Sequence, residues 1–307
     1  MGDHAAEALA SLGHWYVRHG PGTYGKASLV AGYLNRRLRE HPRRRVVRVR
    51  TGDRFVVDTQ DLIQRYLYLF GVWEPNMSGW LQRRLRPGDT FVDVGANIGY
   101  FSLLASRLVG NEGHVVAIEA STAFHQRLLR NVRLNGRHNV RAINTAVSDK
   151  RELLEFVLAS DHNMGANSIV PYDGPAASSF EVESRPLAEV LTAAEIANAR
   201  VIKIDVEGAE GSVVRGMAPL LGKLRPDVEL TVEVTPERMA KLGDSVEELL
   251  NTMRDHGFHV YRLANDYAPE SYPAALRGRS SVPVRWRGPV VAETDLVFSR
   301  VDAEALP

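Results

Sequence analysis

The chain contains no cysteine, which excludes a disulfide framework, a cysteine nucleophile and a thiolate metal site. It has no run approaching the ~20 apolar residues needed to span a bilayer. Its first residues, with Asp3, His4 and Glu7, lack the basic-then-apolar order of a secretory leader. The expectation is a soluble, cytoplasmic protein. An excess of one charge is also missing: the net charge is +1 with 24% charged residues, so bulk electrostatics point to neither nucleic acid nor membrane as partner of the whole chain. Lysine is scarce, at five of the 38 basic residues. The balance fails locally, because residues 1–50 carry ten Lys/Arg against three Asp/Glu, densest at Arg36, Arg37 and Arg39 and from Arg43 to Arg50. Such a run reads first as the solvated face of a helix and a hairpin. Its second reading is a dock for an acidic partner, a phosphorylated substrate or anionic lipid headgroups.

The most informative stretch runs Thr90-Phe91-Val92-Asp93-Val94-Gly95-Ala96-Asn97-Ile98-Gly99-Tyr100. An apolar, β-branched strand pattern breaks into a Gly-x-x-x-Gly turn and then into helical sequence. The glycines let backbone approach a ligand, and the amides at the helix start can meet an anionic group. A second strand pattern, His114 to Glu119, ends in an acid placed where a carboxylate can hold the two hydroxyls of a ribose. Together they read as a nucleoside-binding α/β unit. A dinucleotide site wants G-x-G-x-x-G; here Asn97 takes the middle glycine position and Asp93 lies two residues before the first glycine. That pattern resembles the first motif of class I S-adenosylmethionine-dependent methyltransferases.

At 307 residues the chain can bury one large α/β domain with an extension. Residues 27–40 have helical spacing, 46–58 alternate around a Thr51-Gly52-Asp53 hairpin signal, and helices are expected over 61–70, stopped by Gly71, and over 77–85. Pro87-Gly88-Asp89 marks the start of the main domain, so residues 1–86 form a basic helix and hairpin extension and 87–302 the catalytic domain. Strands are expected at 90–95, 114–119, 140–147, 200–205, 228–234, 258–263 and 294–299, with an extra one at 153–158. Helices between most of them predict a mostly parallel sheet covered on both faces. Ligands in such sheets bind at the carboxyl ends of strands, where strand order reverses; Gly95, Glu119, Val147 and Asp205 fall at such ends. The segments 161–180 and 264–293 read as long loops.

After the fourth strand, Asp205, Glu207 and Glu210 place three carboxylates within six residues around the turn at Gly208. They would cap and complement the following helix, or, for Asp205 and Glu207, orient and deprotonate an acceptor hydroxyl, an effect worth ~10²–10⁴ in rate. The run Ile202-Lys203-Ile204-Asp205-Val206-Glu207-Gly208-Ala209-Glu210, with Val213-Val214-Arg215-Gly216 behind it, resembles the FkbM-type methyltransferases. Phe91 to Ser102, Asp61-Leu62-Ile63-Gln64, Gly71 to Pro75, Ala146 to Asp149 and Asp295 to Phe298 extend the likeness over residues 55 to 300. The chain departs from the family at Ser184 to Glu189, where Thr-Leu-Asp-Asp is usual.

The resemblance implies a Rossmann-like class I methyltransferase with a seven-stranded sheet whose last strand inserts antiparallel. It further implies transfer of a methyl group from S-adenosylmethionine to a hydroxyl of a sugar, polyketide or other secondary-metabolite or glycolipid acceptor. Gly95, Asn97 and Gly99 would then line the methionine half of the cofactor, Glu119 would hold its ribose, Ser148 and Asp149 would flank its adenine, and Asp93 and Ala120 would also bind it. Asp205 would lie beside the transferable methyl, and Glu74 near the cofactor's amino group. Mg²⁺ held by Asp205, Glu207 and Glu233 would also suit the acids but is not required. His256 and His259 read as structural. The chain lacks the Asn/Asp-Pro-Pro-aromatic segment that grips a flipped base, so no nucleic-acid partner is expected. A homo-oligomer is compatible with the sequence. The alternatives are an N-methyltransferase of a small metabolite and a protein that binds the cofactor without catalysis.

Overall fold

The computed structural model describes residues 2–158, 167–168, 178–278 and 280–306. In chain order the strands are β1 Arg44–Arg48, β2 Arg54–Asp58, β3 Thr90–Val94, β4 His114–Glu119, β5 Val140–Asn144, β6 Ala146–Val147, β7 Glu152–Leu158, β8 Asn167–Ser168, β9 Ser178–Arg185, β10 Ala199–Ile204, β11 Glu229–Val234, β12 His259–Leu263, β13 Val284–Arg285 and β14 Thr294–Ser299. Packing divides the chain into two compact units, Met1–Gly79 with Asn265–Ser280, and Trp80–Ala264 with Ser281–Pro307.

In the first unit, helix Gly2–His19 precedes a helical stretch from Lys26 to Glu40 that widens into a π-turn at Val30–Leu34. β1 and β2 pair antiparallel as the alternation predicts. Asp61 caps helix Leu62–Leu69 by accepting from the Gln64 amide, and Gly71, at φ 71°, ends the segment. The interior is aromatic: Tyr66 packs edge-on against Phe70, Trp73 and Tyr272.

The second unit holds an eight-stranded sheet in the order β13-β12-β14-β11-β10-β3-β4-β5. β3, β4, β5, β10 and β11 run parallel, and β14 inserts antiparallel between β11 and β12. This is a Rossmann-like class I methyltransferase sheet with one extra edge strand, β13, whose two residues are too few to show a period. Alternation decides which side chains meet which layer. Val92 and Val94, Val116 and Ile118, Ile202 and Ile204, and Leu230, Val232 and Val234 point into one core. Helices Glu210–Leu221 and Val246–Asp255 fill that core through Val213, Met217, Leu221, Leu250 and Met253. Helices Tyr100–Val109 and Thr122–Leu134 belong to the opposite face, where Ser102 bonds Asp93.

The expected strand over 140–147 breaks at Thr145, whose hydroxyl bonds the Glu183 carbonyl. Residues 140–144 stay in the main sheet while Ala146–Val147 join a second, four-stranded sheet, β6-β9-β7-β8. Most of the expected loop over 161–180 lies outside the described residues. Within 264–293, Ser271–Ala275 forms a short helix.

Candidate functional site

Strand order reverses at β3, with β4 on one side and β10 on the other. Register sets the polar side chains of this region in rows on the sheet face opposite the core just described. Thr231, Lys203, Asp93 and Ala117 lie side by side across four strands. One step toward the carboxyl ends come Asp295 and Glu233, which face each other, then Asp205, Gly95 and Glu119 as the chain leaves its strands. The crevice at the switch point is thus lined by acids.

Gly95 and Gly99 both have φ 86°. A Cβ on Gly95 would collide with the Asp205 carbonyl, and one on Gly99 with the Leu128 side chain, so both positions need glycine for space as well as for conformation. Asn97, between them, is also left-handed at φ 51°, and its Oδ1 accepts from the Ile98 amide at 2.8 Å. The turn is anchored from below, since Gly95 N and Ala96 N both donate to the Ile118 carbonyl and Asn131 Nδ2 donates to the Ile98 carbonyl.

Glu119 ties this turn to the exit of β4. Its Oε2 accepts from Asn97 N at 2.7 Å and its Oε1 from Ser121 N at 2.8 Å. Burial pushes its carboxyl up to about 7, with Asp93 and Asp205 adding to the rise and the two amides opposing it. Ala120 contributes its carbonyl to Asn144 Nδ2. Asp93 is buried; its Oδ2 accepts from Ser102 Oγ at 2.5 Å while its Oδ1 has no hydrogen-bond partner. Burial raises its pKa against the pull of Lys203.

The three acids after β10 separate into different environments. Glu210 is fully buried and turns back to accept from Gly208 N at 3.0 Å and Val206 N at 3.3 Å, so it pins the turn. Desolvation lifts its pKa to about 7. Glu207, left-handed at φ 60°, forms an ion pair with Arg238. Asp205 receives Lys203 Nζ on Oδ2 at 2.6 Å, with its side chain 24% exposed and that of Lys203 5% exposed. Burial pushes the Asp205 carboxyl up, but Lys203, a hydrogen bond with Glu233 and Arg238 outweigh it and hold it below the usual carboxylate range. Lys203 also sits 5.0 Å over the Phe101 ring. The sequence reading missed Lys203 and Arg238. Lys203 could have been found, because residues two apart on a strand share a face; Arg238 arrives from helix Pro236–Lys241 after β11, which no local pattern connects to Glu207.

Ser148 and Asp149 lie against helix Glu210–Leu221. Asp149 pairs with Arg215 at 2.9 Å, and a Cβ on Gly216 would collide with the Ser148 carbonyl. Glu74 belongs to the first unit, buried at φ 41°, with its carboxylate accepting from Asn265 Nδ2 at 3.1 Å and facing the Tyr267 hydroxyl at 3.5 Å. Of the metal donors weighed above, Asp205 is engaged by Lys203 and Glu207 by Arg238. Among the described residues no group of three or more His, Cys, Asp or Glu side chains is arranged to hold a metal ion. No helix among them is long and apolar enough to cross a membrane.

Comparison with known proteins places this site in a family. The chain is similar to the 23S rRNA (uracil(1939)-C(5))-methyltransferase RlmD of Acinetobacter baylyi, 30% identical over 99 residues, which cover 32% of this chain and 20% of that protein. It therefore spans about a fifth of the length of that relative. The solved structure of an FkbM methyltransferase from Methylobacillus flagellatus is 16% identical, with a TM-score of 0.41 over 77% of this chain and 52% of that one. A SAM-dependent O-methyltransferase structure from Thermotoga maritima is 14% identical, with a TM-score of 0.41 over 84% of this chain and 78% of that one. The model of the methyltransferase FkbM domain matches residues 93–260, more than half of the chain and the whole span from Asp93 to Arg238 that builds the crevice. The chain belongs to the FkbM methyltransferase family, whose domain is S-adenosylmethionine-dependent.

Proposed function

We propose that the protein is an O-methyltransferase acting on a hydroxyl of a sugar, polyketide or other secondary-metabolite or glycolipid acceptor, with residues 87–302 as the catalytic domain and 1–86 as an extension. The observation that carries this reading is Asp205. It stands beside Gly95 at the switch point as a partly exposed carboxylate that Lys203 holds ionised, whereas Asp93 and Glu210 are buried with raised pKa values.

The crevice suits S-adenosylmethionine. An unpartnered Asp93 oxygen and a desolvated Glu119 favour a ligand that brings positive charge and hydroxyl donors. When bound, the cofactor supplies an electrophilic methyl group on a sulfonium. The Gly95–Gly99 turn lines its methionine half, Glu119 and Ala120 its ribose, and Ser148 and Asp149 its adenine. Lys203 holds one Asp205 oxygen and keeps the group ionised at neutral pH. The carboxylate, which also shares a hydrogen bond with Glu233, would accept the hydroxyl of the acceptor, orient it and take its proton as the O–CH₃ bond forms and the sulfonium S–CH₃ bond breaks, the cofactor leaving as the neutral thioether. Arg238 holds Glu207 as the wall of the acceptor side.

The acceptor class is tested by incubating the protein with methyl-labelled S-adenosylmethionine and cell extract, then fractionating. Label in the small-metabolite, saccharide or lipid fraction supports the reading. Label confined to RNA or protein, or none despite measured cofactor binding, contradicts it.

Cofactor binding should depend on pH through Glu119. With its carboxyl near 7 in the free protein, a ribose that hydrogen-bonds the ionised form must displace a proton below that pH and none above it. Affinity is therefore expected to rise roughly tenfold between pH 6 and 8 and then level off. Glu119→Gln should bind more weakly and lose that rise in calorimetric titrations; a wild-type affinity flat across the window would remove Glu119 from the ribose. For the folded protein without cofactor the sign is opposite. A raised carboxyl pKa favours folding most below the unfolded value, and that contribution disappears as pH climbs through 7.

A further inference from the structure

Arg18, Lys26, Arg50 and Arg277 gather in the first unit without an acid among them. Lys26 is 8% exposed, and its ammonium donates to the Gly20 carbonyl at 2.7 Å and the Val17 carbonyl at 3.1 Å, which leaves its third proton without an acceptor among the described residues. Arg18 donates to the Leu67 carbonyl at 3.2 Å and to the Arg48 carbonyl. Its guanidinium lies in a notch at Gly71, where a Cβ would collide with it. Arg50 donates its amide to the Gly71 carbonyl at 2.8 Å and its Nε to the Phe70 carbonyl at 3.0 Å, so its two Nη groups are left for another acceptor. Helix Ser271–Ala275 packs on Lys26–Leu29 and brings the exposed Arg277 within electrostatic range of Lys26.

No carboxylate answers this charge. Arg50 and Arg277 both repel Lys26, and Arg50 repels Arg18. Acids of the unit are engaged elsewhere: Glu7 pairs with Arg43, Asp58 with Arg44, Asp61 caps its helix, and Glu74 faces Asn265 and Tyr267. Lys26 sits at the carboxyl end of helix Gly2–His19, and Arg18 and Arg50 at that of helix Leu62–Leu69. Capping explains these seats but not the charge, because two helix ends supply only about −0.5 each against four cations. A phosphate monoester brings about −1.5 to −2 and three acceptor oxygens, which suits the surplus and the open N–H groups.

The segment that carries Lys26 reads Gly20-Pro21-Gly22-Thr23-Tyr24-Gly25-Lys26, the G-x-x-x-x-G-K spacing of phosphate-binding loops, with Gly22 and Gly25 left-handed at φ 73° and 67°. A helix and not a strand precedes it, and Ala27 stands where a serine or threonine would meet Mg²⁺. Phosphate capture is therefore carried over, and nucleotide hydrolysis is not.

We propose that Arg18, Lys26, Arg50 and Arg277 form a binding site for a phosphoryl group, borne by a soluble metabolite or by a lipid headgroup, with Arg18 and Lys26 as its floor and Arg50 and Arg277 as its exposed arms. This rests on neither the acceptor nor the catalytic roles argued above.

The test is calorimetric titration of the full chain at low salt with inorganic pyrophosphate and with glucose 1-phosphate, beside sedimentation with phosphatidylcholine vesicles lacking or containing about one third phosphatidic acid. The expected result is one-to-one pyrophosphate binding that Arg50→Ala/Arg277→Ala weakens roughly tenfold or more, with thermal unfolding near that of the wild type because both side chains are exposed. Lys26→Met should also lose binding, but it removes buried hydrogen bonds, so the double arginine variant decides. Arg130→Ala/Arg133→Ala, which takes the same charge from exposed positions on helix Thr122–Leu134, should leave binding unchanged. Glucose 1-phosphate binding without retention on phosphatidic acid assigns the group to a soluble metabolite, and the reverse assigns it to a lipid. Binding of none of these phosphates, binding indifferent to Arg50→Ala/Arg277→Ala, or equal loss in Arg130→Ala/Arg133→Ala would overturn the proposal.

Discussion

Asp205→Ala is expected to lower the rate of methyl transfer by ~10²–10⁴, the range for a positioned base, while cofactor affinity stays within severalfold. The substitution removes the carboxylate proposed to face the acceptor and leaves the Gly95–Gly99 turn and Glu119 bonded as before. It also removes the carboxylate 2.6 Å from the Lys203 ammonium, on a side chain 5% exposed, so some loss of stability is expected with it. Asp205→Asn separates the two effects: it keeps the shape and a hydrogen-bond acceptor for Lys203 but cannot take the proton. Rate loss in both variants, with calorimetric cofactor binding preserved, is the expected pattern. Equal loss of binding in Asp205→Ala and Glu119→Ala would place Asp205 in the cofactor's cradle and not at the acceptor.

Gly95→Ala should be strongly damaging for a single-methyl change. At φ 86° an L-residue costs about 1–2 kcal/mol. The added Cβ would collide with the Asp205 carbonyl, which is backbone and cannot rotate away, and forcing such a site apart costs a further ~1–3 kcal/mol. The exits of β3 and β10 would have to separate, and these two exits carry the Gly95–Gly99 turn and Asp205. Cofactor affinity is expected to fall by ~100-fold or more, since each ~1.4 kcal/mol is tenfold, alongside a lower unfolding temperature. Gly88→Ala is the control: its φ is 90°, yet nothing lies within 4 Å of the added Cβ, so it carries the conformational cost alone. Equal effects of the two substitutions would show that the Gly95–Asp205 approach does not organise the site.

Where local pattern and final environment agree, the sequence was sufficient. The β-branched runs at 90–94, 114–119 and 294–299 form strands in the sheet as expected, because central strands buried on both faces need apolar residues at nearly every position. The same alternation that made them legible also sorts the polar rows, with Asp93, Lys203 and Glu233 on one face, Lys203 and Asp93 paired in register.

What the sequence hid was long-range. The break at Thr145 depends on β9, more than 30 residues later. Arg238 meets Glu207 across a helix and a strand. The return of Asn265–Ser280 to the first unit brings Asn265 and Tyr267 to Glu74 from 191 and 193 residues away, which a reading of the lead-in as a linear segment cannot reveal. Glu210 looked like a helix-dipole acid, yet its carboxylate reaches back to the Val206 and Gly208 amides, a role that depends on the left-handed geometry at Glu207 and Gly208.

The most direct test of the central claim is to identify the atom that receives the methyl group. Protein, ¹³C-methyl S-adenosylmethionine and the labelled fraction would be incubated together, and the purified product examined by carbon–proton correlation NMR, with Asp205→Asn in parallel. The account predicts a methyl resonance coupled to a carbinol carbon of the acceptor, present with the wild type and lost with the variant. A methyl on nitrogen or on a nucleobase carbon, or an O-methyl product formed at wild-type rate by Asp205→Asn, would contradict it.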